Sequence, residues 1–187
     1  MEELKDYSGP YIPGVRYENF SKEVLCELLR GYSMEINTLS FFYAGEIRKR
    51  YGDEVSREIS IAVWRKMARP EMEVPMKAAK ITGNDIETYA KVQQLVGSFA
   101  QDYYRYEWDI KDKNHAILTV HECPAFSMME KREDWEALDW TCHVIELEGM
   151  KAYAPFVNPN IKIRELRAGR RQSPDEPACR WEFRIEE

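Results

Sequence analysis

The hydrophobic period of this chain changes once, near Tyr103, and that switch sets its fold class. Upstream, apolar residues recur every three or four positions; downstream they alternate. Leu25, Leu28, Leu29, Tyr32, Ile36, Leu39, Phe42 and Tyr43 describe an amphipathic helix that Ser21 caps and that runs to Tyr51. Gly52 stops it, and Asp53 is expected to cap a second helix carrying Val55, Ile59, Ala62, Val63, Trp64 and Met67. Pro70 and Pro75 lack a backbone N–H, so they are expected to interrupt that helix and leave a separate helical turn over 76–82, ended by Gly83. Asn84 and Glu87 read as a capping box for a third helix through Tyr89, Val92 and Val96 toward Phe99.

Beyond the switch, Tyr104, Tyr106, Trp108 and Ile110 alternate with Arg105, Glu107 and Asp109, the pattern of a half-buried strand. A polar turn at 111–114 leads to a return strand, His115–His121, stopped by Pro124. Period alone leaves its buried face open: either His115, Ile117, Thr119, His121 and Cys123, or Ala116, Leu118 and Val120. A fourth helix over Glu133–Glu148 places Trp135, Leu138, Cys142 and Ile145 on one face. Two further strands follow, Ile161–Leu166 and Cys179–Ile185, separated by the polar loop 168–178. The expected architecture is α+β: an N-terminal helical half, then an antiparallel sheet of about four strands with an inserted helix, one sheet face under helices and the other charged. The 187 residues suit a single domain, 1–187, with an irregular ring-bearing arm over 1–18, a helical half over 19–100 and a sheet half over 101–187.

Charge narrows the partners. Lys and Arg number 27 against 33 Asp and Glu, a net charge of -6, which disfavours a phosphate backbone and hence nucleic acid. The basic run Arg164, Arg167, Arg170 and Arg171 reads as a solvated turn. No stretch matches a membrane span, and the acidic start of the chain lacks an apolar signal core, so a cytoplasmic protein is expected, with a small-molecule ligand as partner and a homo-oligomer as one admissible assembly. The four cysteines, 26, 123, 142 and 179, form no C-x-x-C pair, and Cys26 falls in the apolar pattern of the first helix as a core thiol. Among the methionines, Met67, Met72, Met76, Met128 and Met129 are gap fillers or walls of an adaptable pocket.

Chemistry concentrates at Asp139-Trp140-Thr141-Cys142-His143-Val144-Ile145-Glu146. On a helix Asp139 and His143 are i, i+4 neighbours, so the carboxylate can orient the imidazole as a general base, with Cys142 beside it; the alternative is a solvated face of charge pairs. Cys123, Cys142 and Cys179, with His121, form a candidate zinc set should the elements converge; a lone thiolate beside His would act as a nucleophile, and three separate buried thiols are the third option. Tyr106, Trp108 and Trp181 are candidate walls of a substrate pocket, in strands that also need core rings.

Three segments also carry a likeness. Ala137-Leu138-Asp139-Trp140-Thr141-Cys142, Asn158-Pro159-Asn160-Ile161-Lys162-Ile163 and Cys179-Arg180-Trp181-Glu182-Phe183 resemble the L-2-amino-thiazoline-4-carboxylic acid hydrolase-like proteins. The layout is similar over about 20–187, the specific matches over roughly the last fifty residues. The chain is also similar in look to vinyl-4-reductase-type ligand domains, although it lacks the tight Cys pair of their zinc site. The first resemblance implies a hydrolase that opens a small cyclic C–N substrate. Chemistry then gives Cys142 or Cys179 the nucleophile's role, His143 with Asp139 the base's, and Arg180 a substrate carboxylate. The second implies a non-catalytic small-molecule or zinc-binding module.

Overall fold

The computed structural model describes residues 3–101 and 103–186; Met1 and Glu2 of the acidic N-terminus, Asp102 and Glu187 lie outside the described residues. The helical half is a long antiparallel pair. Helix α1 spans Lys22–Tyr51, and its Ser21 cap takes the Val24 N–H. Gly52, at φ 87°, turns the chain, and α2 begins at Asp53 itself, so the cap is Gly52 rather than Asp53. Ahead of α1 the arm is fastened by Leu4, which pairs with the Asn19 carbonyl and the Ser21 N–H, and by the edge-to-face rings of Tyr7 and Phe20.

Helix α2 runs unbroken from Asp53 to Ala79 through both prolines, which corrects the expected interruption. Each proline forfeits one backbone hydrogen bond, but Ala68, Glu71, Met72 and Pro75 are buried against the rest of the molecule, and that packing outweighs the local penalty. Helix α3 covers Ile86–Gln93 and is capped by Asp85, which accepts from Thr88, in place of Asn84. It ends well before Phe99, and a short 3-10 turn, Gly97–Phe99, carries the chain on.

Strands β1 (Arg105–Asp112) and β2 (His115–Glu122) form a hairpin; β3 (Ile161–Arg167) and β4 (Cys179–Ile185) complete a four-stranded antiparallel sheet in the order β1-β2-β4-β3. The register aligns Trp108, Leu118, Trp181 and Glu165 in one row and Ile110, Ala116, Phe183 and Ile163 in the next. Those rows face the helices, which settles the open face of β2: Ala116, Leu118 and Val120 are buried with Tyr106, Trp181 and Phe183. The opposite face is charged, as expected. Its centre is Glu182, which contacts His115, Arg164 and Arg184; the hydrogen bonds and charges of Arg184 and Arg164 keep its carboxyl below the usual range.

Between β2 and β3 lie three helical segments where one was expected. Helix α4, Pro124–Lys131, has Pro124 in its first turn; the same proline that stops the strand starts a helix. Helix α5, Trp135–Trp140, passes through a π turn, Thr141–Ile145, into α6, Glu146–Tyr153. The Glu146 N–H reaches back five residues to the Thr141 carbonyl, so the helix holds one extra residue there.

Candidate functional site

The inner sheet face and the helices enclose a chamber of about 100 Å³. Aromatic rings dominate its wall: Trp64 from α2, Tyr104 ahead of β1, Trp108, Phe126 from α4, Tyr153 from α6 and Trp181. Outside it, between α1, α2 and α5, a groove of about 470 Å³ shares Asn37, Trp64, Tyr104, Thr141, Ile145 and Glu146 with the chamber. The shared wall makes the groove the neighbouring route to solvent.

Glu146 stands at that junction. By surface area Glu146 is an exposed residue, open to the chamber and the groove that it lines, while its carboxyl is set deep among protein atoms. Burial, reinforced by the nearby Glu71, raises its carboxyl to about 7. Among the described residues it has no ion-pair or hydrogen-bond partner (the remaining glutamates of the helical core are better provided for). Glu71, for instance, takes the Tyr153 hydroxyl and the Ser98 N–H at 3.3 Å. Asn37 accepts from Tyr104 at 2.9 Å and donates to the Ser98 carbonyl at 2.9 Å. A hydrogen-bonded chain thus runs Tyr104–Asn37–Ser98–Glu71–Tyr153 along the chamber, joining β1's approach, α1, α2 and α6.

The three cysteines named from sequence do share this chamber. Cys142 points in from the π turn, Cys179 opens β4, and Cys123 caps α4, its sulfur taking the Phe126 N–H. That cap is why Cys123 faces inward although strand alternation would have turned it out: the chain leaves β2 at Glu122. All three are in their thiol form at neutral pH. Burial pushes Cys123 and Cys142 up to about 12 and Cys179 well above its ordinary value, with Glu146 adding to each shift. At Cys142 the Gly169 N–H and Arg167 pull the other way without prevailing.

The imidazoles do not join them. His121 is on the outer sheet face, 3.2 Å from Glu107, which removes it from the zinc set. His143 projects from the π turn toward β3, where its Nδ1 lies 2.8 Å from Glu165; it is half exposed and is not part of the chamber lining. Glu165, not Asp139, is its hydrogen-bonded partner; Asp139 shares with it only the close packing at Gly169. Glu165 was invisible to sequence spacing because its pairing is set by sheet register. Glu146 was within the segment singled out, three residues from His143, but the π turn swings it inward.

Among the described residues no three His, Cys, Asp or Glu side chains come together in a way that could hold a metal ion. The donor set therefore does not fit zinc, and no chemistry is derived through it. Of the candidate substrate walls, Trp108 and Trp181 line the chamber, whereas Tyr106 is buried in a stack with Phe99, rings 4.3 Å apart. Arg180 is exposed on the outer face, opposite Thr119. Cys26 is exposed on α1 rather than in the core.

The basic run is also placed differently from a solvated turn. Arg167 donates to the Gly169 and Ala178 carbonyls, Arg171 pairs with Glu130 and lies over Phe126, and Arg170 lies over Trp135. These contacts draw loop 168–178 down against α4 and α5 beside Ala178 and Cys179, closing that end of the chamber. No helix among the described residues is long and apolar enough to cross a membrane. Comparison with protein-family models, curated proteins and solved structures finds no match, so the likeness to the thiazoline hydrolase-like proteins rests on the three quoted segments alone.

Proposed function

We propose that this chain binds a small molecule in the ring-walled chamber, with Glu146 as its polar anchor. The observation that carries this reading is an ionisable carboxyl without a protein partner among the described residues, on the wall of a cavity lined mainly by rings and aliphatic side chains. An engineered cavity of roughly 150 Å³ accepts benzene. The chamber, at about 100 Å³, is smaller than that, so a ligand with a single small ring would also occupy part of the adjoining groove.

Gly149 supplies the test. It lies in α6 on the chamber wall, and a Cβ there would meet nothing within 4 Å. Gly149→Leu is expected to fill the chamber while preserving the helix, since Gly is worth about 1 kcal/mol less than Ala in a helix interior. Ligands that raise the melting temperature of the parent or quench its tryptophans should do neither in this variant. Equal binding by both proteins would move the site elsewhere.

A second reading, hydrolysis of a cyclic C–N bond, gains support from the same carboxyl, because an acid–base group that titrates near neutrality can transfer protons both ways. The Glu146 carboxylate would take a proton from water as the oxygen adds to the ring C=N carbon and the π pair moves to nitrogen. The resulting carboxylic acid would return that proton to the ring nitrogen, and the regenerated carboxylate would then carry the hydroxyl proton of the adduct to the same nitrogen as the C=O bond forms and the carbon–nitrogen bond breaks, leaving a carbonyl and a free amine. In this scheme the thiols and His143 are bystanders. Turnover of a cyclic amidine should then be lost in Glu146→Gln and kept in His143→Ala; loss in the histidine variant alone would restore the imidazole as base.

A further inference from the structure

Among the described residues, the chamber wall contains no Lys, Arg or His. It does contain Glu146, and Glu71 lies close enough to raise that carboxyl. An anionic ligand would bring a further negative charge beside Glu146 with no cation on the chamber wall to meet it, which disfavours its binding. A cation meets the reverse situation. It would find a carboxylate with no partner among the described residues at the junction with the groove, and ring faces around it whose quadrupoles attract an ammonium group.

Three arginines line the groove: Arg48 pairs with Asp53 and Asp134, Arg57 pairs with Glu136 and lies over the Trp140 ring, and Arg132 has no ion pair among the described residues, with Glu146 or with any other carboxylate. They leave Glu146 unneutralised. Arg180, the residue that would hold a substrate carboxylate in a thiazoline-carboxylate hydrolase, is on the far side of the sheet.

We infer that the chamber selects cationic ligands over neutral and anionic ones, and that its occupant is a small ring-bearing amine without a carboxylate, its ammonium on Glu146 and its ring on the tryptophan and tyrosine walls. This rests on the proposal that the chamber is a ligand site and narrows it to one chemical class. The groups facing Glu146 are Glu71 from α2, Tyr153 from α6, Tyr104 ahead of β1, and the thiols of Cys123, Cys142 and Cys179. The phenols and thiols are all shifted upward and stay neutral near pH 7, which leaves Glu146 as the group that changes charge there. Capture of an ammonium therefore releases the Glu146 proton.

Three probes of one size separate the terms: benzylamine, benzyl alcohol and benzoate, titrated calorimetrically into the full chain and its Glu146→Gln variant. Benzylamine should bind at least tenfold tighter than benzyl alcohol at pH 8, lose most of that advantage by pH 6 and release a proton, while benzoate stays unbound. Glu146→Gln should level the amine with the alcohol and keep the alcohol's affinity, which also shows that the variant folds with an open chamber. Equal affinities in the parent, or an amine preference that survives the substitution, would overturn the cationic selectivity while leaving the chamber as a ligand site. Alcohol binding that persists in Gly149→Leu would overturn the chamber itself, as would failure of all three probes to bind the parent.

Discussion

Glu146 reports on its own surroundings through stability. Its carboxyl titrates near 4.5 when the chain is unfolded and at about 7 when folded. The folded state thus holds the proton more tightly. The stability this contributes is fully present below pH 4.5 and is lost as pH rises through 7. Removing the carboxyl removes that dependence, so Glu146→Gln should melt above the parent at pH 8 and converge with it near pH 5. Parallel melting curves across that range would mean that the carboxyl is not held in this state. Gly169 makes a different demand at the same scale. It sits at φ 72°, and a Cβ there would stand 2.6 Å from His143 Nε2 and 3.0 Å from Asp139 Oδ1. The imidazole is exposed enough to swing aside, but only by surrendering Glu165, and the left-handed backbone stays strained. Gly169→Ala is expected to cost about 1–2 kcal/mol in denaturant unfolding.

Elements show where sequence pattern sufficed and where it failed. The bounds of helix α1 were legible to the residue, because Ser21 and Gly52 flank it, but its apolar period did not mark the buried face: Leu29, Tyr32, Leu39, Phe42 and Tyr43 are exposed, and Ser33 and Asn37 are buried. The sheet strands were legible because their alternation is nearly unbroken, most of all in β4. Helix α2 was misread at Pro70 because local propensity was outweighed by contacts that sequence does not display. Pro70 is exposed and gives up a backbone hydrogen bond, so Pro70→Ala should stabilise the protein by about 1–3 kcal/mol, measured by urea unfolding. No change would indicate that the helix is already unravelled there. The π turn was hidden for another reason. A single added residue rotates α6 relative to α5 and leaves no compositional mark, although it is what sends Cys142 and Glu146 inward and His143 outward. The convergence of three thiols on one chamber could be framed from sequence; their protonated state and the absence of an imidazole among them depend on burial and register.

At the scale of the whole molecule, the chamber is closed from two directions. Loop 168–178 shuts one end through Arg167 and Arg171, both largely buried and each paired with a glutamate. Arg171→Ala breaks the pair with Glu130 and uncovers Phe126. The loop's amides should then exchange with solvent at least tenfold faster, by hydrogen-exchange mass spectrometry, while those of β2 and β4 remain protected. Equal acceleration in the strands would make the arginine a support of the sheet rather than a clasp on the loop. At the other end the Tyr104–Asn37–Ser98–Glu71–Tyr153 chain stitches the helical half to the sheet half. To hinge the halves apart would strand several desolvated donors and acceptors at once. If the chamber is a ligand site as proposed, its occupant is expected to arrive past Glu146, where chamber and groove share a wall, and a molecule too broad for that doorway is expected to be turned away.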